Sequence, residues 1–133
     1  MIEELFKRYH TASLSVSATT RSPRQGETDG EQYFFLEEDE FRDAAAKGMF
    51  LEWAEVHGNL YGTPLEKVER ELARGRDVIL EIDVQGARQV REKVAGAISI
   101  FVQTPSIQIL EERLRKRGTE EESELETRLR NAL

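Results

Sequence analysis

The stretch SVSATTRSPRQGETDGEQY, residues 15–33, decides how the rest of the chain is read. A short β-prone run ends in Ser17, and Arg21 and Arg24 follow around Pro23. Gly26 and Gly30 shape the loop, and Tyr33 opens a new strand. Two guanidiniums on such a loop, with hydroxyls at either end, are what a phosphate monoester needs. Arginine offers a planar fork of donors matching phosphate oxygens, and hydroxyls fill the remaining acceptor positions. The alternative is a solvated polar loop, because charged side chains are mostly exposed.

Working outward, Ile2, Leu5, Phe6 and Tyr9 fall at helical spacing, and residues 11–17 read as a strand. A second strand is expected at 33–36, then a helix over 39–47 stopped by Gly48. Residues 50–57 and 60–63 read as a hairpin turning at Gly58-Asn59. Thr63-Pro64-Leu65-Glu66 reads as a helix start with a capping box, the helix ending at Gly75. A buried strand over 77–83, a helix over 85–94 and an apolar strand over 97–103 follow. Ser106 caps a helix ended by Gly118, and Thr119 caps a last one carrying Leu125 and Leu129. Alternating strands and helices predict an α/β fold with a parallel sheet, interrupted by a small mixed β insertion.

The 133 residues suit one domain. With no cysteine and two histidines, His10 and His57, disulfides, thiolate metal sites and a cysteine nucleophile are excluded. A net charge of −7 argues against broad binding to nucleic acid or an anionic membrane, so an anionic ligand has to be held by local geometry. No apolar run approaches membrane-spanning length and no signal-peptide core opens the chain, so a cytoplasmic location is expected.

In the 50–57 strand, alternation places Phe50, Glu52, Ala54 and Val56 on one face. A carboxylate among apolar neighbours needs a partner, unless the strand is an edge where it reaches water. Tyr61 and Thr63 share a face of the next strand, and Asp83 ends a buried strand just before Gly86. Ligands gather at the carboxyl ends of strands in open α/β sheets. One chemical picture joins these residues: Arg21, Arg24, Tyr33 and Tyr61 hold a phosphate, while Glu52, Thr63 and Asp83 meet a base that presents donors. Guanine suits that set, because a carboxylate accepts from both its N1–H and its N2 amino group. Adenine presents an acceptor at N1, a mismatch that a desolvated site rejects strongly.

With these motifs in place, the chain resembles the guanylate kinase family over nearly its whole length. The pattern SxxxRxPRxGExxGxxYxF reads here from Ser17 through Glu27 to Phe35, and FLEWAEVHGNLYGTP, DVILEIDVQGA, IFVQTPS and LRKRGTEE follow. The resemblance implies transfer of the γ-phosphoryl group of ATP to GMP, with magnesium. It implies GMP phosphate contacts at Ser17, Arg21, Arg24, Tyr33 and Tyr61, and guanine contacts at Glu52, Thr63 and Asp83. Arg117 and Arg128 match lid arginines that close on the ATP phosphates and the transferring group. The implied layout is a core over 1–17 and 64–106, a GMP-binding region over 18–63 and lid helices over 107–133.

The family's GxxxxGK[ST] loop does not occur in this sequence: none of the five lysines precedes Ser or Thr, and no glycine precedes Gly26. The backbone cradle for ATP and the hydroxyl ligand of magnesium are therefore lacking, as is the first strand of the parallel sheet. The chain alone is expected to keep the GMP site yet to be nearly inactive, or to act as a non-catalytic module that recognises GMP or a phosphopeptide. Exposed strand edges predict a homodimer covering the gap, or a marginally stable monomer.

Overall fold

The computed structural model describes residues 2–117 together with residues 125 and 129. It divides into two compact units, Met1–Ala97 and Ile98–Leu133. In the first, the element order is α1 (Ile2–Arg8), β1 (Ala12–Leu14), β2 (Ser17–Thr19), β3 (Tyr33–Phe35), α2 (Glu38–Ala46), β4 (Phe50–Val56), β5 (Asn59–Pro64), α3 (Leu65–Ala73), β6 (Asp77–Ile79) and α4 (Val84–Lys93). The second contains α5 (Ile107–Arg117).

The α/β expectation holds, with two sheets among the described residues. β1 and β6 pair in parallel, Ser13 opposite Val78. The strand expected over 11–17 is in fact two, because the chain leaves that parallel pair after Leu14 and enters a four-stranded sheet at Ser17. That mixed sheet has the order β3-β2-β5-β4, with β2 and β3 parallel and the other pairs antiparallel.

Alternation along these strands separates two faces. Ala18, Phe34 and Leu60 point into a cluster with Phe41 of α2 and Phe50. Ser17, Thr19, Tyr33, Phe35, Tyr61 and Thr63 therefore lie on the opposite face. Gly62 sits on the α2 side, where a Cβ would come within 3.0 Å of the Phe41 ring, so the close packing there depends on glycine.

β4 departs from the expected alternation. A bulge between Phe50 and Glu52 sets two steps on β4 against one on β5. Phe50 consequently stacks on Phe41 with ring centroids 4.4 Å apart, while Leu51 packs with Val68 and Val90 of α3 and α4. Glu52 turns toward Gly86 of α4. Phe50 and Glu52 thus face different elements, and the expected shared face is corrected.

Four further expectations change. The strand expected over 77–83 stops at Ile79, so Asp83 ends no strand and instead caps α4. The hairpin turns at His57-Gly58, both with positive φ, and Asn59 already belongs to β5. The residue capping α3 is Pro64, with no side-chain cap bond, so Thr63 forms no capping box. The apolar run 97–103 is no strand, and Ile98, Ile100 and Phe101 are exposed. A strand is stable only with a ladder partner, and no described segment pairs with this run. In the second unit Ser106 caps α5 as expected, its Oγ accepting from the Ile109 N–H at 3.3 Å. The final helix expected after Thr119 lies, apart from residues 125 and 129, outside the described residues.

Candidate functional site

The loop after β2 is organised by an acid. Glu27 takes the Arg21 guanidinium in a two-bond fork, Nη1 to Oε2 at 3.0 Å and Nη2 to Oε1 at 2.9 Å. The same Oε2 accepts the Arg24 backbone N–H at 2.7 Å. Arg21 Nη1 also donates to the Ser22 carbonyl at 2.7 Å. The fork holds the Glu27 carboxyl below the ordinary carboxylate range and raises the Arg21 guanidinium further.

Arg21 is also seated over aromatic faces, its guanidinium carbon 5.3 Å from the Tyr33 ring centre and 5.8 Å from that of Phe35. Tyr61 meets Tyr33 edge-on with centroids 6.1 Å apart, and Ser17 is the register partner of Tyr33. Burial pushes the Tyr33 phenol up, the neighbouring Tyr61 adding to this and Arg21 opposing it. Arg21, Tyr33, Tyr61 and Ser17 thus share one sheet face. Arg24 is exposed beside them on the loop.

The second cluster lies on β4, β5 and the start of α4. Glu52 is 3% exposed and Thr63 is fully buried, and the Thr63 hydroxyl donates to Glu52 Oε1 at 2.5 Å. Burial raises the Glu52 carboxyl above its ordinary value. The Thr63 hydroxyl opposes that shift, the Asp83 charge adds to it, and the Lys93 charge opposes it. Asp83 caps α4, Oδ1 accepting from the Gly86 N–H at 2.9 Å and Oδ2 from Gln85 at 3.1 Å. Gly86 makes room for the acid: a Cβ there would stand 2.3 Å from Glu52 Oε2. A buried, perturbed carboxylate with a second acid nearby is the arrangement that marks functional sites.

Of the residues singled out from the sequence, Ser17, Arg21, Tyr33, Glu52, Tyr61 and Thr63 converge on one face of the mixed sheet. Asp83 meets them from α4. Arg117 is the last residue of α5, in the second unit, and Arg128 lies outside the described residues. Sequence reading missed Glu27 as a site residue, although an acid three positions after Arg24 in the same short loop was a usable signal.

The model of the guanylate kinase family matches residues 1–133. A guanylate kinase of Carboxydothermus hydrogenoformans is 50% identical over 130 residues, covering 98% of this chain and 64% of that protein. One of Cupriavidus metallidurans is 49% identical over 129 residues, covering 97% of this chain and 60% of its own. The crystal structure of guanylate kinase from Anaplasma phagocytophilum superposes with a TM-score of 0.77 at 36% identity, covering 88% of this chain and 61% of that one. The chain thus spans less than two thirds of the length of these relatives. By family model, sequence and fold alike, this chain belongs to the guanylate kinase family.

Proposed function

We propose that the chain carries the GMP-binding part of a guanylate kinase, which moves the γ-phosphoryl group of ATP onto GMP to give ADP and GDP. The observation that carries the reading is the buried Glu52–Thr63 pair beside Asp83, on the same sheet face as Arg21, Tyr33 and Tyr61. Ionised Glu52 accepts from N1–H and the N2 amino group of guanine, and Thr63 and Asp83 complete the base contacts. The phosphate lies against Arg21, Arg24, Tyr33, Tyr61 and Ser17. On this reading residues 18–63 form the GMP-binding region, 1–17 and 64–106 the core, and 107–133 the lid.

Transfer then proceeds in line with no covalent intermediate, driven by positioning and by cations that stabilise charge on the moving group. Arg117 and Arg128 are the residues assigned to that second task. Magnesium enters this reading with ATP, where it would neutralise charge on the phosphates. Among the described residues no group of three or more acids, cysteines or histidines could hold a metal ion by itself, so no step is routed through it. A cytoplasmic setting in purine nucleotide metabolism goes with this reading. Self-association of this chain through the open edges of β1 and β6 goes with it too, to be read from light scattering.

Isothermal titration of this chain with GMP and AMP tests the assignment. GMP binding with clear preference over AMP is the expected result. Equal binding of the two, or displacement of GMP by a phosphoserine peptide, would favour a different ligand for the same face.

A further inference from the structure

Hydrogen bonds that hold the backbone of β4 from outside its sheet come from one stripe of α4. Gln85, Gln89 and Lys93 stand four residues apart and so share one helix face. Among the described residues β4 is an edge strand, whose outward backbone groups have no strand partner. Gln85 Nε2 donates to the Glu55 carbonyl at 3.4 Å. Gln89 Nε2 donates to the Trp53 carbonyl at 2.7 Å, and its Oε1 accepts from the Trp53 N–H at 3.3 Å. Lys93 Nζ donates to the Leu51 carbonyl at 2.6 Å. Gln89 thereby reproduces the paired exchange that a neighbouring strand would make.

The contacts fall where the base-reading acid sits. Leu51 and Trp53 flank Glu52, so the backbone of Glu52 is held to α4 from both sides. Asp83 caps that same helix, and Gly86 in its first turn lies against Glu52 Oε2. One helix therefore sets the distance between the two carboxylates.

From this clasp we infer that Gln89 and Lys93 are positioning residues for guanine discrimination. They lock β4 onto α4 so that Glu52 and Asp83 keep the spacing that a base with adjacent N–H donors requires. The inference rests on the nucleotide reading above. Neither residue touches the base, and neither belongs to the phosphate cluster.

Gln89→Met keeps the side-chain length and removes both polar ends, and Lys93→Met removes the ammonium. Calorimetry on the full chain compares GMP, AMP and inorganic phosphate. GMP binding is expected to weaken about ten-fold in each variant, because a carboxylate displaced by a fraction of an ångström loses its bonds. AMP and phosphate are expected to stay within about two-fold, since Tyr33 and Tyr61 lie on other strands, Arg21 lies on the loop after β2, and all three keep their own support. An unchanged GMP-to-AMP ratio in folded variants overturns the assignment, as does equal weakening of all three ligands, which marks a merely structural clasp. Should Gln89→Met lose its native circular dichroism, Lys93→Met decides, because it alters an exposed side chain. Loss of the fold in both also overturns a positioning role. If the parent chain itself prefers GMP no more than AMP, the nucleotide reading fails instead.

Discussion

The Thr63 hydroxyl donates to Glu52 Oε1 across 2.5 Å, with both residues buried. Thr63→Val keeps the shape and removes the donor. Glu52 then has one fewer group compensating its burial, which costs about 1–3 kcal/mol of stability. The base also loses its contact with the Thr63 hydroxyl, so GMP binding weakens. Urea unfolding and titration calorimetry check the two effects. Unchanged stability together with unchanged GMP affinity would mean that the pair has no energetic weight.

The raised Glu52 carboxyl gives opposite pH dependences to stability and binding. Its ordinary value is 4.5, and in the folded chain burial lifts it. The folded state therefore holds this proton more tightly than the unfolded one, so stability falls as pH rises from the ordinary value through the raised one and is level above it. GMP binding needs the ionised form and rises through the same window. Glu52→Gln removes both steps, so the difference between parent and variant isolates them from the titration of the phosphate itself. The variant gains stability relative to the parent as pH rises, while losing its preference for GMP over AMP. Parallel pH curves for the two proteins would refute the assignment.

Glu27 holds Arg21 by two bonds with both side chains mostly buried, at 15% and 17% exposure. Two effects of Glu27→Gln oppose one another. Removing a negative charge favours a phosphate, but at a partly open site salt screens that gain. Losing the fork frees the guanidinium from the Tyr33 and Phe35 rings, and orientation is not screened. Orientation is expected to win, with GMP and AMP both weakening about five-fold and their ratio unchanged. Tighter binding of both in calorimetry would show Glu27 to be a competitor for Arg21.

Much of the candidate site's face was legible because β2, β3 and β5 keep strict alternation. Ala18, Phe34 and Leu60 mark the core side, and that leaves Ser17, Tyr33, Tyr61 and Thr63 on the other. The bulge beside Glu52 was not legible, since it follows from β4 packing between α2 on one face and α4 on the other. Thr63 ahead of Pro64 carries the local signature of a helix cap, and a buried acid from a separate strand overrides it. In the arginine loop, two cations and one nearby acid say nothing of which pair forms. The apolar run 97–103 has strand composition but finds no ladder, and composition alone cannot supply one.

The hairpin between β4 and β5 turns on two residues with positive φ, His57 at 51° and Gly58 at 77°. Both central positions of such a turn need the left-handed region, which suits glycine and asparagine better than histidine. His57→Asn is expected to stabilise the chain by a few tenths to about 1 kcal/mol. His57 is exposed at the hairpin turn, so GMP affinity should not change. A fall in the thermal midpoint would mean that the imidazole makes a contribution its exposure does not reveal.

Gly86→Ala sets helix propensity against the placement of Glu52. Alanine in the first turn of α4 adds up to about 1 kcal/mol to the helix. Its Cβ would stand 2.3 Å from Glu52 Oε2 and 2.9 Å from the carboxyl carbon, closer than atoms tolerate. The carboxylate is the movable part, so it swings away and gives up the Thr63 bond, a loss of about 1 kcal/mol. The two terms nearly cancel, and the thermal midpoint should move little. Base recognition has no such offset, because Glu52 no longer points where guanine presents its donors, and the preference for GMP over AMP should collapse. Retained preference with an unmoved midpoint would show that the strand, not the acid, yields to the added methyl group.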